Sequence, residues 1–329
     1  MKSPFTGKEM KLISEIQTVS FKKQQIEYVH RTFLCEESGE KFTTTELDEL
    51  NLKQIQNVYR ELNNIPFPDE IRNLRSKYGI SAAKMSDLFG FGPNQYTLYE
   101  NGEIPSSSNA KALNLALDPL VFKKMLEENK DLFKDKEYLN LHAKVMQEMS
   151  FDPWDILEDY LMGESKPDSF SGFKIPDYEK LANMVVFFAK EIEPQKTAMN
   201  KDLFYADFSH YKKYSQSISG CRYAAIPMGP VPNNFNSLFE RMEKEGFIRI
   251  NQVQYPNGYI GEQFLPEREF NEKLFLDEEI ETLKIISSNF KSMSTKQLVD
   301  MSHEEKGWIE NEEKRHLIDY SYALDLINI

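Results

Sequence analysis

Cysteine is scarce: the 329 residues hold two, Cys35 and Cys221. Two thiols cannot build a disulfide framework, and both read as reduced thiols of a cytosolic protein. Long apolar runs are missing too. None approaches the roughly 20 residues of a membrane span, and the start lacks the basic and apolar regions of a secretory signal. The expectation is a cytoplasmic protein with no membrane partner. A G-x-S-x-G elbow, a P-loop and an H-E-x-x-H pair are all absent, so the chain reads as a non-enzyme without a cofactor. Positive charge is in deficit, 40 Lys and Arg against 53 Asp and Glu, a formal net charge of −13. Such a chain is a poor general binder of polyanions and suits a basic partner.

What is present divides into blocks, because 329 residues exceed one small core. In residues 1–48, "LISEIQTVSF" and "QQIEYVHRTFLC" alternate apolar and polar residues and predict two antiparallel strands. Ser3-Pro-Phe-Thr6-Gly7 and Cys35-Glu-Glu-Ser38-Gly39 bracket them with the rhythm of zinc knuckles, C-P-x-C-G and C-x-x-C-G, keeping one sulfur of four. Structural zinc needs four nitrogen or sulfur ligands. Cys35 with His30, the only nearby imidazole, supplies two. No zinc is expected. The turns should close through hydrogen bonds from Ser3, Thr6 and Ser38, leaving Cys35 an ordinary thiol. A helix then starts from Thr45 as N-cap.

Residues 66–117 predict short helices with tight stops: "PFPDEIRNLRSKYG" to Gly79, "ISAAKMSDLFG" from Ser81 to Gly90, "GPNQYTLYENG" from Pro93 to Gly102, then "IPSSSNAKALNLAL". This is a helix-turn-helix pattern. Its third helix would put Asn94, Gln95 and Thr97 at base edges, with Ser81 and Lys111 as further DNA contacts and Glu100 bracing the fold. The window 66–118 carries five basic residues against six acidic ones, less than the basic footprint of a typical DNA reader. With the preceding β block, it resembles MqsA-type antitoxins: a zinc-ribbon-like domain followed by an Xre-family helix-turn-helix. "GPNQYTLYENGEIPS" fits the G-x-N-x-x-x-x-[YF]-E-x-G pattern of that family. The resemblance implies operator DNA as a partner and Asn94 as a base reader. Leu98 stands where the family has a base-reading arginine.

Residues 118–159 are charged and helical in pattern, and "GESKPDSFSG", 163–172, has the composition of a linker. Beyond it come strong helices, "DYEKLANMVVFFAKEI" and "MNKDLFYADFSHYKKYS", a short strand running into a proline turn, "CRYAAIPMGPVP", and a helix, "NNFNSLFERMEKEG". A hairpin around Pro256-Asn257-Gly258 and two further helical stretches follow. Asp207 and His210 share a helix face. With His303 they read first as a buried hydrogen-bonded network and second as metal ligands. Gly229, Pro230 and Pro232 make a stiff corner that would display Met228 and Val231. Trp308 and Tyr223 are residue types common at binding hot spots.

Four elements occur here in the order of the Panacea, or SocA-like, domain: Tyr205-Ala-Asp207-x-x-His210, Ile218-Ser-Gly-x-x-Tyr223-x-Ala, Gly229-Pro230-Val231-Pro232, and Ser302-His303-x-x-x-x-Trp308. Residues 175–325 resemble that family. Its members are antitoxins that bind and neutralise unrelated toxins, or adaptors that hand a toxin to a protease. The resemblance implies a cognate protein toxin as partner and allows a cellular protease and a homodimer.

The expected fold is α+β and mostly α. It comprises a metal-free zinc-ribbon-like β domain (1–48), a helix-turn-helix domain with its leading helix (49–118), and a helical connector and linker (119–172). A mainly helical C-terminal domain with a β-hairpin (173–329) completes it. The expected function is that of an antitoxin of a type II toxin–antitoxin system, bacterial or phage, that also represses its own operon. The alternative is a proteolysis adaptor or transcriptional regulator with no toxin.

Overall fold

The computed structural model describes residues 1–150, 153–254, 258 and 260–329. The fold is α+β, with a small N-terminal antiparallel sheet and a largely helical remainder. The chain divides into two compact units. Met1–Val19, Glu27–Gln54 and Leu157–Ile329 form one, and Ser20–Ile26 with Ile55–Ile156 the other.

Strands β1 (Lys11–Phe21) and β2 (Gln24–Leu34) form the expected hairpin, and β3 (Lys41–Phe42) adds to β2 with Phe33 opposite Phe42. The hairpin turns on Lys22 and Lys23, both at positive φ (46° and 69°). The knuckle-like turns close as the hydroxyl pattern requires. The Phe5 and Thr6 N–H groups donate to Ser3 Oγ, each at 3.3 Å, and the Glu40 N–H donates to Ser38 Oγ at 3.4 Å. Thr6 Oγ1 stands 3.4 Å from the buried Cys35 Sγ. Cys35 is not an ordinary thiol. Hydrogen bonds from Ser38 and Thr6 lower its pKa to about 6, because donors aimed at sulfur favour the thiolate.

Helix α1 (Thr45–Leu62) follows; its first turn is capped by Thr44, whose Oγ1 accepts the Leu47 N–H at 3.3 Å, rather than by Thr45. Next come α2 (Pro68–Tyr78), α3 (Ala82–Phe89), α4 (Gln95–Glu100), α5 (Ser107–Ala116), α6 (Pro119–Glu128) and α7 (Asp135–Glu148). Gly79, Ser81 and Gly90 cap as the sequence predicts. Helix α4 starts two residues after Pro93, because Asn94 sits at φ 62° and a right-handed helix cannot run through it. Ile71, Tyr78, Met85, Tyr96, Leu113, Phe122 and Val145 build the core here, with Tyr78 stacked on Phe122 at 4.4 Å. Buried Arg60 ties the loops together by donating to the carbonyls of Pro66, Gly102 and Glu103.

The other unit contains α9 (Tyr178–Ile192), α10 (Lys196–Tyr214), β4 (Tyr223–Ile226), β5 (Gly229–Pro232) and α11 (Phe235–Lys244). The strands β6 (Ile248–Gln254) and β7 (Ile260–Pro266), then α12 (Asp277–Phe290), α13 (Thr295–His303), α14 (Lys306–Ile309) and β8 (Leu317–Ile318), follow. Helix α8 (Pro153–Met162) leads into it. Helix α10 is the axis. It is buried nearly all round, polar residues included, and packs against α9, α12, α13, β5 and β7. Strands β6 and β7 pair from Ile248 opposite Pro266 to Gln254 opposite Ile260. Pro256 and Asn257 of the expected turn lie outside the described residues.

Two sequence expectations change here. The prolines of "GPVP" do not form a turn after a strand. They form a strand, β5, with Ala224 opposite Val231 and Ile226 opposite Gly229. The sheet order is β5-β4-β8, so β5 lies at an edge, where proline's missing N–H is tolerated. The "GESKPDSFSG" segment is an anchored strap rather than a loose linker. Arg222 donates to Asp168 Oδ2 at 2.7 Å, Ser171 is fully buried, and the Tyr320 N–H donates to the Ser169 carbonyl. Small polar residues suit tight packing as well as flexibility, so composition alone misleads.

Candidate functional site

Helix α10 supplies the central group, Asp207. Its carboxylate is fully buried and accepts four hydrogen bonds: from the Ile218 N–H (2.8 Å), the Ser219 N–H (2.9 Å), the Ser219 hydroxyl (2.6 Å) and the Tyr223 hydroxyl (2.7 Å). The Ile218-Ser219-Gly220 turn and the start of β4 are thereby fixed to α10. Burial pushes the Asp207 carboxyl up, and the donors from Ser219, Tyr223 and Ile218 pull it back. One turn on, His210 Nδ1 lies 3.1 Å from Thr282 Oγ1 of α12. Burial, then the charges of Lys174, Lys180, Lys53 and Lys213, lower its pKa to about 3.

His303 does not join these two. Its ring stacks on Trp308 at 3.9 Å, next to the tip of the β4–β5 hairpin. Trp308 Nε1 donates to the Ile226 carbonyl at 2.8 Å. Asp207, His210 and His303 thus serve three separate contacts. Among the described residues, no group of three His, Cys, Asp or Glu side chains could hold a metal ion.

A second set surrounds buried Lys201 of α10. Its Nζ donates to the Pro230 carbonyl at 2.9 Å, and burial lowers its pKa to about 7. Gly229 sits directly against it. A Cβ built there would stand 2.4 Å from Ser302 Oγ and 2.7 Å from Lys201 Nζ. The Gly-Pro pair and the Ser-His pair, some 70 residues apart in sequence, meet at this lysine. Tyr205 completes the frame by donating to the buried Glu305 at 3.0 Å.

Burial sorts the signature residues. Tyr205, Asp207, His210, Tyr223, Gly229, Pro230, Val231 and Pro232 are all buried. Val231 is 4% exposed, so it faces the core rather than solvent. Met228 is 53% exposed at the hairpin tip, and His303 and Trp308 are half-buried beside it.

In the helix-turn-helix region, Asn94 is exposed just before α4, Thr97 and Leu98 are exposed on it, and Ser81 and Lys111 are exposed nearby. Gln95 is half-buried, its Nε2 donating to Glu103 at 3.1 Å. Glu100 braces the fold by accepting Arg75 Nε at 2.7 Å. Arg72, Lys77 and Lys84 also hold carboxylates, those of Asp69, Glu148 and Glu137. Of the five basic residues in 66–118, Lys111 alone has no ion pair among the described residues.

The geometry around α10 is that of one compact domain whose signature residues converge from four sequence elements. Residues 199–309 match the family model of the antitoxin SocA-like, Panacea domain. This stretch is similar to a SocA-like Panacea antitoxin domain. The match does not reach the N-terminal region, and no family match stands behind the MqsA-type resemblance. No curated protein and no solved structure matches the chain. Among the described residues, no helix is long and apolar enough to cross a membrane.

Sequence reasoning passed over Lys201, Asp202, Ser219 and Glu305. Lys201 and Asp202 carried a signal, two adjacent charges among the apolar residues Met199, Leu203 and Phe204. Ser219 and Glu305 lay inside motifs as unremarkable letters.

Proposed function

We propose that this chain is an antitoxin that neutralises a cognate toxin by direct binding through its Panacea domain. The Panacea match over residues 199–309 carries the reading. The site geometry supports it. Most signature residues are locked inside as scaffold, while one edge remains open: Met228 at a stiff hairpin tip, the His303–Trp308 stack, and exposed Ile309 next in sequence. A rigid, partly apolar edge docks at low entropic cost. We assign the toxin contact to this edge. A protease adaptor would use the same edge to hold its cargo.

The test is co-expression with the product of the adjacent gene. The expected result is a growth-arresting product whose arrest is relieved, and which copurifies, when the full chain is present. Met228→Glu or Ile309→Glu should weaken capture by about 2 kcal/mol, roughly thirtyfold, and leave thermal unfolding unchanged because both side chains are exposed. A harmless neighbour that does not copurify would defeat the antitoxin reading.

Operator binding is the accessory proposal, favoured by Asn94 and Thr97 standing exposed at the start of α4 and on it. With most nearby cations already paired, the contacts would depend on uncharged groups, and affinity would be modest. A gel shift with the upstream region, lost in Asn94→Ala, tests it.

A further inference from the structure

A cavity of about 450 Å³ opens between the α9–α10 connection and the α12–α13 connection. Asp202 lines it, fully buried, and neither of its carboxylate oxygens has a hydrogen-bond partner among the described residues. This is unlike every other buried carboxylate around α10. Asp207 has four donors, and Glu279 and Glu305 each have a partner. The adjacent Lys201 gives Asp202 no hydrogen bond, since its Nζ donates to the Pro230 carbonyl, and it acts on the carboxyl through its charge alone. Burying a carboxyl without a hydrogen bond is costly, and the charge of Lys201 offsets burial only in part, so the carboxyl still stands well above its usual range.

The remaining walls say what would offset the rest. Ala198, Phe290, Met293 and Leu298 offer an apolar lining. A ligand with an aliphatic stem and a cationic head fits this arrangement, stem along the wall and head on the carboxylate. Lys291 and Lys296 also line the cavity, but both are exposed and can turn to water, and Glu193 adds a second carboxylate at the mouth. The chain's net charge of −13 also favours a basic partner.

We propose that this cavity receives an arginine or lysine side chain of the protein the domain binds, with Asp202 as its buried anchor. The proposal rests on the toxin-binding reading and adds a second anchor point to it. Burial pushes the free Asp202 carboxyl well above the usual range, so insertion of a cation would release a proton.

The experiment uses the full chain with methyl-labelled methionine and leucine, titrated with N-acetyl-arginine amide and its neutral isostere, N-acetyl-citrulline amide. Saturable shifts at Met293 and Leu298 are expected with arginine only. Asp202→Asn, which keeps the shape, should weaken that binding by about thirtyfold or more, as loss of one member of a buried ion pair does. Equal response to citrulline, no response to either, or undiminished binding by Asp202→Asn would overturn the proposal. So would the same shifts with inorganic phosphate, which would mark an anion site. The assay contains no toxin, so the proposal can fail while toxin capture still succeeds.

Discussion

The Tyr223 hydroxyl donates to Asp207 Oδ2 at 2.7 Å, joining β4 to α10 inside a fully buried pocket of donors. Removing the two partners should have unequal effects. Tyr223→Phe leaves Asp207 with three donors and should cost about 1–2 kcal/mol. Asp207→Ala strands four donors and should cost about 3–5 kcal/mol. Urea unfolding of the full chain measures both, and similar costs would refute the assignment of Asp207 as the hub.

Gly229 and Gly246 both sit at positive φ (93° and 72°), but only Gly229 faces neighbours. Gly246→Ala should cost about 1–2 kcal/mol, the backbone term alone. Gly229→Ala should cost clearly more, because its new methyl would meet Ser302 and Lys201. Equal melting temperatures for the two variants would remove the case for a tight contact at Lys201.

The buried His210 should limit stability in acid. Its folded pKa is about 3, against about 6.5 in an unfolded chain. As pH falls, the unfolded chain binds the proton first. The stabilisation is therefore whole above about pH 6.5 and drains away towards pH 3, with a ceiling of about 5 kcal/mol. His210→Phe should flatten this acid limb. An unchanged limb would place the titrating group elsewhere.

Cys35 and Cys221 are both buried, yet their thiols are driven apart. Hydroxyl donors lower Cys35 to about 6, whereas burial pushes Cys221 well up. Brief treatment with a small alkylating agent near neutral pH should label Cys35 first, with a rate that falls as pH drops through about 6. Preferential labelling of Cys221 would contradict the hydrogen bonds drawn around the Cys35 sulfur.

The β1–β2 turn places Lys22 and Lys23 in the left-handed region, where asparagine and glycine are preferred. Lys22→Asn with Lys23→Gly should raise stability by about 1 kcal/mol. A loss of stability would mean that the lysine side chains contribute something the backbone argument ignores.

Much of this structure was legible beforehand because local chemistry dictated it. Period-two alternation gave β1 and β2, the Pro-Asn-Gly signal gave the β6–β7 hairpin, and glycine stops gave the ends of α2 and α3. That Asp207 is buried and hydrogen-bonded was legible, but its partners were not: the sequence groups it with His210 and His303, and it is held by Ile218, Ser219 and Tyr223. What stayed hidden depended on distant neighbours. Val231 reads as displayed between two prolines, and only the pairing of β5 with β4 turns it inward. Asp202 reads as one more charge on a helix, and only the packing of α12 and α13 around α10 makes it unpaired. Ser3, Thr6 and Ser38 announced turns closed by hydroxyl groups, but not that those hydroxyls would bear on the Cys35 thiol.

The strap between α8 and α9 sets the size of the smallest piece that can fold. Arg222, inside the family-matched stretch, is held by Asp168, which lies 31 residues before that stretch begins. Tyr320, stacked on Phe208 at 4.3 Å and donating to the Cys221 carbonyl at 2.8 Å, lies beyond its end. A fragment cut at the borders of the recognised domain would therefore lose both clasps. The autonomous unit extends outward on each side, from before Asp168 to past Tyr320.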